Sequence, residues 1–188
     1  MTLPAERALV WRAFLSGSRQ IKKEKKVKID ARQSTQKLAI SGVVMAAYIV
    51  VMYVTQSFAF GQYQIRIATA IYGLAYLFPF LTVPLGLANL LSNMLMGGLG
   101  IFDIVGGGLV GILTAGSCAL IGKKKLSPLL VFFPITLIPA LGVSTWLSGI
   151  LNVPYFTLAL SLLVGQAVAG AVGTILVKAL TYSVEVKY

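Results

Sequence analysis

Asp103 is the only one of the five carboxylates that falls inside the apolar part of the chain; Glu6, Glu24 and Asp30 lie in the N-terminal stretch and Glu185 near the C-terminus. Histidine is absent, and the single cysteine, Cys118, sits within an apolar run. Intramembrane hydrolysis, phosphoryl transfer or proteolysis needs paired acids, a histidine base or a metal held by several ligands. One aspartate without a histidine builds none of these. The reading is therefore not an enzyme, with no catalytic residue, no metal site and no cofactor bound by this chain. The segment Gly116-Ser-Cys-Ala-Leu-Ile-Gly122-Lys123 resembles a phosphate-cradling loop only superficially. Five residues rather than four separate its glycines, and Lys124 stands where Ser or Thr would hold magnesium. If the chain moves a solute uphill, a partner must supply the energy.

What remains is chemistry of recognition. Gln62, Tyr63, Gln64 and Arg66 follow the first apolar span; Asn89 and Asn93 precede the turn that ends at Asp103; Trp146, Asn152 and Tyr155 surround the last turn. Amides, rings and one opposed charge pair are the groups that line small-molecule pockets. The candidate ligand-binding set is Tyr63, Gln64, Arg66, Asn93, Asp103, Trp146, Asn152 and Tyr155. Plainer readings stand beside it. Trp146 and Tyr155 suit an interfacial aromatic belt, and Arg66 and Asp103 suit a direct structural ion pair, since an isolated charge in a bilayer is costly.

The elements that must position these residues are membrane spans. The chain is 57% hydrophobic and 11% charged, with a mean hydropathy of +0.88, against about 25% charged in soluble domains. Such a chain has too little polar surface for water. Apolar runs predict an all-α protein with six transmembrane helices, at about Leu38–Phe58, Ile65–Leu81 (broken near Pro79 and Pro84), Val83–Leu99, Asp103–Gly122, Leu129–Ile150 and Tyr155–Leu180. A basic tail over residues 1–37 and a short tail over 183–188 flank a membrane domain of 38–182. Ala8 to Leu15 has weak amphipathic character.

The net charge of +11 raises nucleic-acid binding, but the placement of charge argues against it. Ten of the 16 basic residues precede the first span, Lys123–Lys125 share one loop, and Lys178 and Lys187 lie near the end, leaving Arg66 by itself. Cytoplasmic loops collect such residues, where they also meet anionic lipid. Both termini are expected in the cytoplasm, in a multi-pass protein of the cell membrane with Arg66 outside. The turn between the third and fourth spans is set on the inner side, in conflict with an outward pocket unless the two short spans form one re-entrant unit.

Small residues four apart let helices approach in lipid. Gly42 and Ala46 in the first span suit bundle packing or an external partner; Gly165, Ala169 and Gly173 in the sixth suit bundle packing. Gly106–Gly108 and Gly111 allow close packing or deformation of the fourth.

Gln64-Ile-Arg66-Ile-Ala-Thr-Ala-Ile, the proline-broken Phe78-Pro79-Phe-Leu-Thr-Val-Pro84, and Asn93-Met-Leu-Met-Gly-Gly-Leu-Gly-Ile-Phe-Asp103-Ile-Val resemble the QueT family of S-components of energy-coupling factor transporters. The resemblance implies a subunit that captures a vitamin-like micronutrient outside and joins a transmembrane coupling subunit and two cytoplasmic ATPases, which use the ATP. It also implies docking on the coupling subunit through Gly42 and Ala46. Sequences of that family usually read Arg-x-x-Glu, whose acid can meet a cationic, purine-like queuosine precursor. Here Thr69 stands at that position. On this ground cobalamin, large and amide-rich, is the first expectation for the ligand, and a queuosine precursor the alternative. A stand-alone secondary carrier is the competing class; it calls for midplane ion ligands and an internal repeat, and neither is visible.

Overall fold

The computed structural model describes residues 31–59, 65–96 and 99–185. The chain divides into two compact units, residues 1–40 and 41–188. In the first, residues 31–40 are helical and exposed; the segment Ala8 to Leu15 lies outside the described residues.

Six helices carry the fold: α1 Ala31–Val54, α2 Ile67–Leu77, α3 Pro79–Leu95, α4 Ile101–Lys123, α5 Pro128–Leu151 and α6 Tyr155–Glu185. α1, α4, α5 and α6 are long and apolar enough to cross a membrane, and α2 and α3 are shorter. The described residues contain no strand. Large apolar side chains such as Leu109, Leu113, Leu120, Phe133, Leu160 and Ile175 lie exposed around the second unit. Water does not tolerate such a belt; lipid does.

Several boundaries differ from those expected. Residues 31–37 are helical and α6 covers residues up to Glu185, so helix extends into both expected tails. Neither Ala31–Lys37 nor Thr181–Glu185 contains a glycine or proline to stop it. The second span ends at Leu77, not Leu81. Phe78 precedes a proline and takes an extended conformation (φ −125°, ψ 79°), while Pro79 opens the next helix. Pro84 breaks nothing, because it lies in the first turn of the α-helical stretch Thr82–Leu95, where its missing N–H is not required.

α2 is too short to cross a bilayer core. Ile67–Gly73 is a 3-10 helix and Leu74–Leu77 is α-helical. At roughly 2.0 and 1.5 Å of rise per residue these give about 14 plus 6 Å, short of a core about 30 Å thick.

The core gathers Tyr48, Met52, Tyr72, Leu85, Ile135 and Val177, all fully buried, with a second cluster around Val143, Leu147 and Leu162. In lipid, close packing and hydrogen bonds rather than hydrophobicity hold helices together, so the glycines matter. A Cβ on Gly111 would lie 2.9 Å from the Tyr72 hydroxyl and 3.1 Å from the Gly86 Cα, and one on Gly86 would strike Ile112. α4 runs unbroken past all four of its central glycines. Close packing, not deformation, explains them. In α6, a Cβ on Gly173 would lie 2.8 Å from Ile135 Cδ1, and Ala169 is fully buried, so this small-residue face packs within the bundle. Gly42 differs: among the described residues, nothing lies within 4 Å of its Cβ position.

The turn between α3 and α4 shares an end with Arg66, because Arg66 bonds to Asn93 and Asn93 to the main chain of Asp103. This corrects the inner placement, and alternation of six passes demands the same. Lys123 closes α4 at the opposite end, 23 residues or about 34 Å away.

Candidate functional site

The site grows from a matched spacing on two helices. Asn89 and Asn93 stand four apart on α3, hence on one face, and Asp103 and Gly107 do the same on α4. Asn93 Nδ2 donates to the Asp103 carbonyl (2.9 Å) and Asn89 Nδ2 to the Gly107 carbonyl (2.7 Å). Each carbonyl has a second lone pair for this bond beside its helical one. Gly107 is required here: a Cβ would lie 2.5 Å from Asn93 Nδ2.

The amide oxygens on the other side of this ladder meet Arg66, the residue that precedes α2. Arg66 Nη1 donates to Asn93 Oδ1 (3.2 Å) and Asn89 Oδ1 (3.4 Å), and the residue is only 3% exposed. An arginine at a helix centre costs about 2.5–3.5 kcal/mol on insertion scales. Two charge-assisted bonds, about 1.5–3 kcal/mol each when well formed, are the right size to offset it.

Asp103 lies in the first turn of α4, where the helix dipole favours an anion. Its Oδ2 accepts from the Leu99 N–H (3.3 Å) and its Oδ1 from Trp146 Nε1 (3.2 Å). The Trp146 ring lies over Gly106, where a Cβ would meet three ring carbons at 2.9–3.0 Å. Asn93 thus joins Arg66 to the main chain of Asp103, and among the described residues the two charges do not form the direct pair expected between them. The partners differ: the Asp103 carboxylate takes Trp146 Nε1 and the Leu99 N–H, while the Arg66 guanidinium takes the two amide oxygens of α3.

A second polar group lies beside the first. Thr69 Oγ1 is 2.7 Å from the Arg66 carbonyl and 3.0 Å from Gln166 Oε1, and Thr136 Oγ1 donates to the Gln166 carbonyl (3.4 Å). Because one hydroxyl carries one proton, the Gln166 amide turned about would donate to Thr69. Tyr48 of α1 and Tyr72 of α2 stack at 5.6 Å with their hydroxyls 3.0 Å apart, both fully buried.

Of the candidate residues, Arg66, Asn93, Asp103 and Trp146 come together. Tyr63 and Gln64 lie outside the described residues. Asn152 and Tyr155 do not join the cluster. Asn152 is exposed and caps α5 in the left-handed conformation (φ 54°, ψ 37°), a position that favours asparagine after glycine. Tyr155 Oη donates to the Leu141 carbonyl (3.2 Å), which ties α6 to α5. Trp146, which suited an aromatic belt, binds the buried carboxylate instead.

Asn89, Thr69 and Gln166 were missing from the candidate set. The four-residue repeat of Asn89 with Asn93 was a usable signal. So was Gln166, an amide within the apolar helix α6, since polar groups inside a span are functional by default.

Fold and site together define a multi-pass helical membrane protein with one buried, charge-balanced polar layer near one end of its bundle. A family comparison matches residues 38–182 to the QueT transporter, and the chain belongs to that family. Comparisons with curated proteins and with solved structures find no match.

Proposed function

We propose that this chain is the substrate-capturing S-component of an energy-coupling factor importer and that its ligand is a queuosine precursor. Membership of the QueT transporter family over residues 38–182 carries the reading. It favours the queuosine precursor over cobalamin, the first expectation, for which it offers no support.

The polar layer supplies a physical route around the missing Arg-x-x-Glu acid. Thr69, at the position of that acid, is engaged with Gln166. Asp103 can take its place. A carboxylate offers about four acceptor sites, and the Trp146 and Leu99 bonds use one on each oxygen. The remainder suit the amino or ring N–H groups of a cationic purine-like base, with the Trp146 ring available to stack on it. Arg66, held by Asn89 and Asn93, sets the position of α3 against α2 and balances the charge of Asp103.

In this reading the Arg66 end faces outward, the Lys123–Lys125 end and both termini face the cytoplasm, and Gly42 and Ala46 on α1 meet the coupling subunit. Two ATPases supply ATP hydrolysis. The open space at Gly42 and the exposure of Ala46 support this docking face.

Calorimetry on the purified chain tests the ligand. A queuosine precursor should bind with a dissociation constant between nanomolar and micromolar, about −12 to −8 kcal/mol, and Asp103→Asn should weaken it at least tenfold. Tight binding of cobalamin with none of the precursor overturns the substrate and leaves the importer standing.

A further inference from the structure

The opposite end of the bundle holds a cavity of about 640 Å³ that the transport reading does not use. Lys125 and Lys178 supply its positive charge, and Tyr76, Ser127, Thr181 and Tyr182 supply hydroxyls. None of the described residues lining it is acidic. A second, apolar cavity of about 440 Å³ begins at Leu129, which lines both, and continues along Phe132, Phe133, Ala171, Thr174 and Ile175. Ala171, Thr174, Ile175, Lys178 and Tyr182 follow helical spacing on a single face of α6. One stripe therefore changes from apolar to cationic over about 10 Å, from Ala171 to Lys178 at 1.5 Å per residue.

Lys125 adds an independent sign. The Leu126 N–H bonds to the Ile121 carbonyl (3.1 Å) and the Lys125 N–H to the Gly122 carbonyl (2.9 Å). This is the Schellman arrangement, whose left-handed residue is usually glycine. Lys125 takes that place with φ 53°, a conformation strained for any residue bearing a Cβ. The fold accepts the strain and keeps a cation at the cavity, while Tyr76 Oη pins the loop through the Leu126 carbonyl (2.8 Å).

We propose that these two cavities form one binding site for a single anionic phospholipid, with its phosphate between Lys125 and Lys178 and one acyl chain along the α5–α6 groove. A free phosphate needs the lysines but not the groove; a neutral lipid needs the groove but not the lysines. The continuity of the two favours a molecule that has both parts.

Native mass spectrometry of the detergent-purified full chain, supplied with phosphatidylglycerol or phosphatidylcholine, tests the site. The wild type should retain one phosphatidylglycerol in preference to phosphatidylcholine. Replacing Lys125 and Lys178 by Gln should lower retention about fivefold for each lysine removed, the size expected of a basic residue at an anionic headgroup. Lys123→Gln with Lys124→Gln removes the same charge outside the cavity and should leave retention unchanged. Ala171→Trp, which fills the groove, should expel the lipid with all lysines present. Lys125→Gly should relieve the turn and raise the melting temperature while lowering retention, so a loss there is not misfolding. Equal effects of the two double variants, or equal retention of the two lipids, overturn the site. Displacement of the lipid by millimolar inorganic phosphate, with Ala171→Trp inert, reduces it to an anion pocket and overturns the lipid. Cross-linking of position 175 to the coupling subunit in a lipid-free transporter assigns the groove to protein and overturns it equally.

Discussion

In α4, Gly106, Gly107 and Gly111 each lie against a neighbouring side chain, whereas Gly42 in α1 faces open space. Both helices are long and apolar, yet 44% of the most apolar stretch of α4 is buried against 17% of that of α1. α4 is seated by its glycines, which bring the Asn89 and Asn93 amides to its main chain. α1 adds Tyr48 and Met52 to the core, with Val44, Met45 and Val51 packed against it, and leaves Gly42, Val43, Ala46 and Val50 exposed. A small residue in a membrane helix thus records a close approach only when something approaches it; the same letter in α1 leaves a face for another molecule.

The sharpest way to break this contrast is at the ladder. Asn93→Leu removes one acceptor from Arg66 and the donor to Asp103, and should destabilise the chain by about 3 kcal/mol or more and abolish ligand binding. Thermal unfolding in detergent with calorimetry reads both, and a variant that melts like the wild type dissolves the idea of a structural polar layer. Gly107→Val comes next. Its side chain must displace the Asn93 amide, at about 1–3 kcal/mol for overpacking. Set against it, Gly42→Leu with Ala46→Leu should leave melting and ligand binding intact while uptake fails and the ATPases no longer co-purify. If that pair lowers stability as much as Gly107→Val does, α1 and α4 are not different in kind. Trp146→Phe keeps most of the ring and deletes one donor to Asp103, and should cost about 1 kcal/mol, because the indole is only half-buried. The smallest effect belongs to Thr69→Val, near-isosteric and lacking one hydroxyl. A melting shift of a few degrees with ligand affinity kept would place Thr69 in support of the layer; a large loss of affinity would move it to the ligand.

Much of this was legible before any fold was known. Six apolar runs, the lysine-rich loop at 123–125 and the proline-marked break read directly as spans and turns, since backbone in lipid has few options beyond helix. Arg66, Asn93, Asp103 and Trp146 stood out as polar groups at span ends, and the structure brings all four together. Asn152 and Tyr155 share that sequence signature but serve local tasks, a helix cap and an interhelix bond. Residue type at a span end states what a side chain can bind, not what it meets.

Composition and the placement of apolar runs alone determined that this chain lives in a membrane and that its helices alternate. These follow from solvation and chemistry that each residue carries with it. Only the tertiary structure decided that Asn89 and Asn93 register against Asp103 and Gly107, that Asn93 joins Arg66 to the Asp103 main chain, and that Gly106 makes room for Trp146. Those outcomes depend on how far α3 and α4 slide past one another. Interhelical register is set by close packing of many small contacts, none of which is written in the spacing along a single helix.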